Sequence, residues 1–234
     1  SLVLLGSGDD NIGFTGATNA ATKSDTVKLG SGNDKVVLNA AGTGPAYVFG
    51  EAGNDTVSVA TSALTASDLI DGGAGDDTVS MNVAGANALV LRAVENLELT
   101  STAAGAITIN SADGALAVTA KTNNSAVNLI GLTAGSTVDV VLETAASAAA
   151  AAVSVGFKST EASSTIDITS GMTGALALGK ITNATVNYGA ASVLTGTITA
   201  TDTTTDLTLN ATKGLTGGQA VAGNTIKNVT IAGQ

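Results

Sequence analysis

Gly72-Gly73-Ala74-Gly75-Asp76-Asp77-Thr78-Val79-Ser80 sets three glycines and two aspartates directly ahead of an alternating Thr-Val-Ser run. Glycine allows positive φ, so the first half reads as a tight turn and the second half as the start of a strand. The pattern recurs upstream: LGSGDDNIGF at 5–14, LGSGNDKVVL at 29–38 and GEAGNDTVSV at 50–59 align with GGAGDDTVSM at 72–81. Their aligned aspartates, Asp10, Asp34, Asp55 and Asp77, stand 24, 21 and 22 residues apart. A fixed period of this size marks a repeat architecture.

Other columns fall into place on the same alignment. Two residues after the aspartates come Ile12, Val36, Val57 and Val79; four after come Phe14, Leu38, Val59 and Met81; seven before come Val3, Val27, Val48 and Ile70. Period-2 spacing puts the first two columns on one side of a strand, and repetition stacks them along the interior of a solenoid. Each coil then adds about 4.8 Å, the spacing of neighbouring strands. Glu95 continues the aspartate column with Leu97 and Leu99 behind it, but Leu91-Arg92-Ala93-Val94 carries no glycine, so the turn chemistry is expected to lapse there. Beyond it, alternating pairs recur roughly every ten residues: Ile107/Ile109, Leu116/Val118, Val127/Leu129, Val138/Val140, Ile166/Ile168, Leu176/Leu178, Val186/Tyr188 and Leu207/Leu209. They predict the same solenoid continuing, with a separate β-sandwich as the alternative. Ala145–Ala152 breaks the rhythm and reads as a bulging loop or a single helical turn.

Composition narrows the function. Apolar residues make up 44% of the 234, yet aromatic residues only 2% and charged residues 12%, which suits thin stacked β-structure better than a thick core. The net charge of −10 argues against nucleic acid and against anionic membrane as partners, and no apolar run reaches spanning length. With no Cys and no His, disulfides, Cys/His zinc sites and His-based triads are excluded. Most of the 19 acidic residues precede residue 100, which points to cation binding there. The chain opens and closes on strand-like sequence and reads as a piece of a longer protein.

The nine residues 72–80 resemble the repeat-in-toxin (RTX) nonapeptide, G-G-x-G-[ND]-D-x-U-x. The other copies depart from it: Leu5 and Leu29 replace the first glycine, and Glu51 the second. The resemblance implies an all-β parallel β-roll loaded with Ca2+, exported and folded outside the cell. Its chemistry is sound, since calcium takes six to eight oxygens and two stacked turns of carbonyls and carboxylates can supply them. The expected ligand set is Gly6, Gly8, Asp9 and Asp10 in coil 1; Gly30, Gly32, Asn33 and Asp34 in coil 2; Gly50, Gly53, Asn54 and Asp55 in coil 3; and Gly72, Gly73, Gly75, Asp76 and Asp77 in coil 4. Stacked aspartates about 5 Å apart repel by roughly 1 kcal/mol per pair in bulk water and more when buried, so calcium is expected to be a folding ligand. Asp9, Asp76 and Glu51 are expected to add to that repulsion. Asp25 and Asp68 share another column without glycines and read as solvated turn residues.

The chain divides on this reading into calcium-binding coils, 1–84, and a metal-poor continuation, 85–234. Ala93-Val94-Glu95-Asn96-Leu97-Glu98-Leu99-Thr100 resembles a segment of surface-layer β-strand proteins, which implies a calcium-dependent lattice on the bacterial cell surface, built by self-association. A cell-surface polysaccharide, bound through a part outside this sequence, is the further partner allowed. The stalk of a large adhesin is the alternative. Catalysis is not expected: the best paired carboxylates are Asp202/Asp206 and Asp139/Glu143, and no Asp pair outside the glycine turns is expected at matched positions on adjacent coils. Ice binding through Thr195–Thr199 or Thr201–Thr205 conflicts with the unequal coil lengths.

Overall fold

The computed structural model describes residues 2–14, 24–38, 45–59, 64–83, 85–101, 105–122, 127–142, 153–168, 175–189, 192–193, 197–201, 203–211, 215–216 and 221–233. The Ala145–Ala152 segment, Glu143 and Asp202 lie outside them, as do Thr195 and Gly196. The described residues form strands and turns, with no helix.

Each early coil has two strands. Coil 1 holds β1 (Leu2–Leu4) and β2 (Asn11–Phe14), coil 2 holds β3 (Asp25–Ser31) and β4 (Lys35–Leu38), and coil 3 holds β5 (Ala46–Ala52) and β6 (Thr56–Val59). Coil 4 holds β7 (Leu69–Asp71) and β8 (Thr78–Val83), and coil 5 holds β9 (Ala86–Arg92) and β10 (Asn96–Ser101). Then follow β11 (Gly105–Ala112), β12 (Ala117–Thr122), β13 (Val127–Leu132) and β14 (Thr137–Leu142). Two long strands, β15 (Val153–Ile168) and β16 (Leu176–Tyr188), serve both faces. The last are β17 (Ser192–Val193), β18 (Ile198–Thr201), β19 (Asp206–Ala211), β20 (Leu215–Thr216), β21 (Val221–Ala222) and β22 (Asn228–Ala232).

Every recorded pairing is parallel and joins one coil to the next. One face runs β1-β3-β5-β7-β9-β11-β13-β15-β16-β18-β21. The other runs β2-β4-β6-β8-β10-β12-β14-β15-β16-β19-β22. The protein is thus a parallel β-solenoid. The aligned columns are real ladders: Val3, Val27, Val48 and Ile70 pair in register on the first face. On the second face Ile12, Val36, Val57, Val79, Leu97, Val118, Val138, Ile166, Val186, Leu209 and Ile231 form one unbroken row.

The pairs read every ten residues are the two strands of each coil in turn. Ile107/Ile109 and Leu176/Leu178 line the first face, and Val138/Val140 and Val186/Tyr188 the second; all of these side chains are buried. Small and β-branched residues suffice because the two faces lie close and each inward side chain needs to fill only half the gap.

Candidate metal centre

The Gly-Asp turns carry the chain from the first face to the second. Asn11, Lys35, Thr56 and Thr78 pair one above another, so the aspartates before them also stack. Being two residues ahead of the inward Ile/Val row, these aspartates point inward too. Each carboxylate reaches back one coil. Asp34 Oδ1 accepts the backbone N–H of Asp10 (2.7 Å), Asp55 Oδ1 that of Asp34 (2.8 Å), and Asp77 Oδ1 that of Asp55 (2.7 Å). Glu95 ends the acidic row, its Oε2 accepting the N–H of Asp77 at 2.8 Å.

The adjacent column reaches forward instead. Asp9 Oδ1 accepts from Asn33 N–H (2.7 Å), Asn33 Oδ1 from Asn54 N–H (2.8 Å), and Asn54 Oδ1 from Asp76 N–H (3.0 Å). Asp76 Oδ1 takes a bond from the Asn96 amide at 2.7 Å. Aspartate or asparagine serves equally at this position because only a carbonyl-type acceptor is needed.

Asp34, Asp55 and Asp77 are each 2% exposed, and the Oδ2 atom of each is buried with no hydrogen-bond partner. Burial, together with the charges of Asp77 and Asp34, pushes the Asp55 carboxyl up to about 6, against the lowering effect of its bond from Asp34 N–H. Burial also raises Asp77, with Glu95, Asp76 and Asp71 adding to the effect. A file of buried carboxylates with one oxygen each unpaired is unfavourable by itself and asks for a cation.

The glycines bring carbonyls to these oxygens. Gly53 holds φ at 129°, and a β-carbon there would overlap the carbonyl oxygen of Gly32. At Gly50 a β-carbon would overlap both the Gly72 carbonyl oxygen and Asp55 Oδ2. That missing β-carbon leaves a cradle bounded by a carbonyl and a carboxylate from successive coils. In the same column coils 1 and 2 carry Leu5 and Leu29, and Leu29 is fully buried in the core. Among the described residues no three acidic side chains converge as a metal cluster, so the donor set on offer is a carboxylate with backbone carbonyls, as at Gly50. Such all-oxygen sets suit calcium.

Several expectations need correcting. Glu51 does not add to the stacked repulsion: its carboxylate lies 3.4 Å from Lys28 Nζ, while its backbone takes φ of 74° in the column of Gly30 and Gly73. Asp68 is buried, not solvated. It accepts from the N–H groups of Ala46 and Thr65 and from the Thr65 hydroxyl, because a turn without glycine leaves those donors inside and in need of an acceptor. Asp139 and Asp167 do stand at matched positions on neighbouring coils, on the outward side of β14 and β15. Burial, then the charge of Asp167, raises the Asp139 carboxyl, and Asn187 donates to Asp167 Oδ1 at 2.6 Å. The wider sequence separation of Asp139 and Asp167 hid this pair from the spacing. Thr204 is buried, so the 201–205 run does not present a regular hydroxyl row.

A family model described as the RTX calcium-binding nonapeptide repeat (4 copies) matches residues 41–59 and 62–80. No curated protein and no solved structure matches the chain. The matched stretches are similar to calcium-binding repeats, and they end on coils 3 and 4, the two whose turns have glycine in the cradle column. The ladders establish a parallel β-solenoid, and the matched repeats indicate Ca2+ binding in two of its coils.

Proposed function

We propose that this module is a structural component of a calcium-dependent bacterial surface layer, secreted, folded by Ca2+ outside the cell, and assembled laterally with copies of itself. The observation that carries the calcium part is the column of buried, half-unpaired Asp34, Asp55 and Asp77 carboxylates. These carboxylates and the carbonyls of Gly30, Gly32, Gly50, Gly53, Gly72, Gly73 and Gly75 would hold the cation between stacked turns, with Asp10, Gly6 and Gly8 contributing at the first coil. Asp9, Asn33 and Asn54 brace the turns through backbone N–H groups, and Asp76 through the Asn96 side-chain amide. Bound calcium would supply the positive charge that offsets the stacked carboxylates, so that folding and loading are one equilibrium.

The lattice part is supported by the likeness of residues 93–100 to surface-layer strands and by the low charge of the solenoid's outward strands. Metal-bridged contacts between acidic flanks would neutralise a net charge of −10 and let like-charged copies pack. Catalysis is no part of this reading: the outward Asp139–Asp167 pair is tied to Asn187, in a ladder that continues with Asn210 Nδ2 donating to Asn187 Oδ1 at 2.8 Å. Light scattering tests the proposal. Scattering is expected to rise with added calcium, reverse with chelator, and respond much less to magnesium, which demands near-octahedral geometry. A protein that folds with calcium yet stays monomeric at high concentration would replace the lattice with an adhesin stalk.

A further inference from the structure

The glycine-rich turns end at coil 4, yet the geometry that makes the cradle does not. At the junction of coils 3 and 4 the cradle is Gly50, bounded by Asp55 Oδ2 and the Gly72 carbonyl oxygen. At the junction of coils 4 and 5 the same arrangement recurs one coil on. A β-carbon at Gly72 would overlap both Asp77 Oδ2 and the carbonyl oxygen of Ala93. Ala93 therefore stands where Gly72 stood, although it lies outside the nonapeptides.

Two further features match. The N–H of Asp55 is bonded by the Asp77 carboxylate, and the N–H of Asp77 is bonded by Glu95, whose extra methylene spans a coil shortened from 22 residues to 18. Ala93 continues the column of Gly50 and Gly72, since Asp71 pairs with Arg92 just before it, although its own φ of 45° is left-handed where theirs is not. Its N–H is fixed by Asp113 Oδ1, between β11 and β12, at 2.8 Å, and its carbonyl lies beside Gly72 of coil 4. Into this cradle points Asp77, 2% exposed, with an Oδ2 atom that has no partner in the protein.

We infer that the junction of coils 4 and 5 is an additional calcium site, formed by Asp77 Oδ2, the Ala93 carbonyl and the Glu95 carboxylate, beyond the last nonapeptide. The site rests on the calcium reading of the preceding turns and extends the row by one ion. Ala93 differs from Gly72 in its left-handed backbone, whose N–H donates to Asp113 Oδ1. The acidic column stops here as well: the next inward position is Leu116, whose N–H is bonded by the Ser136 hydroxyl at 2.9 Å. A neutral partner brings no charge for a cation to offset.

Calcium stoichiometry of the whole protein, by equilibrium dialysis and calorimetry, tests this with Glu95→Gln. The amide keeps an acceptor for Asp77 N–H and removes the charge. The expected result is one calcium fewer per chain, with the remaining sites and the circular dichroism of the loaded protein unchanged. An E95Q protein that binds the same number as wild type overturns the site and leaves the nonapeptide sites standing. A wild-type protein that binds no calcium overturns both readings. Should E95Q not fold, the carbonyl carbon resonance of Ala93 in wild-type protein decides: it is expected to shift during calcium titration with the last equivalent bound, and an unmoved resonance at saturation overturns the proposal.

Discussion

Coils 1–4 and the coils from β11 onward share one backbone plan and differ in their turns and, beside them, at one inward column. Before the first apolar residue of the second face, the early coils place Asp10, Asp34, Asp55 and Asp77. In the later coils Leu116, Ser136, Ser164, Ala184 and Leu207 hold that column. The register around it is unchanged: Val79, Leu97, Val118 and Val138 continue one row through the transition. A parallel solenoid thus tolerates two solutions for the same interior volume. One buries carboxylates and depends on an outside cation; the other buries methyl groups and hydroxyls and brings no charge for a cation to offset. Coil length does not separate the two solutions, since it varies from turn to turn in both regions.

The largest effect expected from this difference is its response to chelation. Removing calcium should lower hydrogen-exchange protection in β3 to β8 by about a hundredfold or more, as their turns lose the ion that offsets buried charge. Protection in β12 to β16 should change by less than about threefold. Equal loss in both regions would mean that the apolar coils lean on the metal coils and that the comparison has no energetic content.

Single substitutions in the differing column come next. Asp55→Ala removes an acceptor from Asp34 N–H and a ligand shared by neighbouring sites, and should cost at least about 3 kcal/mol in saturating calcium. Ser136→Ala, the counterpart in a later coil, loses one neutral bond to Leu116 N–H and should cost about 1 kcal/mol with no change in calcium affinity. Asp25→Ala should leave stoichiometry intact. Denaturation in calcium and in chelator, beside calorimetry, separates the three; a loss of calcium in the Asp25 variant would reveal a second metal row on the opposite edge.

The direction of pH dependence also distinguishes the regions. Asp55 titrates near 6 in the metal-free fold against an ordinary value of 3.8, so between those values the folded chain binds more protons than the unfolded one. Metal-free stability of the early coils should therefore fall as pH rises from about 4 to above 6. Calcium affinity should rise over the same interval, because the ion displaces that proton. Urea melts in chelator at pH 4.5 and 7.5 check the sign, and a more stable metal-free protein at the higher pH contradicts it.

The smallest effect concerns Glu51. Replacing it with glycine relieves a left-handed φ, costing about 1–2 kcal/mol for an L-residue, and loses an exposed pair with Lys28 worth at most about 1 kcal/mol. Glycine's greater freedom in the unfolded chain offsets most of the gain. The net change should stay within about 0.5 kcal/mol, with calcium affinity unaltered. A weakened affinity would make the Glu51 carboxylate a ligand.

Periodicity determined the solenoid over the aspartate repeats, and left a β-sandwich open beyond them. A fixed repeat of aspartates with apolar residues two and four positions later admits few folds, since stacking identical coils is the way each row finds its own kind. The turn chemistry was equally legible, because glycine before aspartate is a local property of the backbone. What the tertiary structure decided is which oxygens face one another across coils. That Asp68 is buried against Ala46 and Thr65, that Glu51 turns to Lys28, and that Asp139 meets Asp167 depend on coil lengths that vary from one turn to the next. Only the fold could show that Ala93, a residue without glycine's freedom, presents its carbonyl to Asp77 Oδ2. Its conformation is imposed by Asp113 from the coil above, a contact between residues 20 positions apart. Local sequence encodes the preference of each residue; a neighbour brought close by stacking can override it when its hydrogen bond is worth more than the backbone strain.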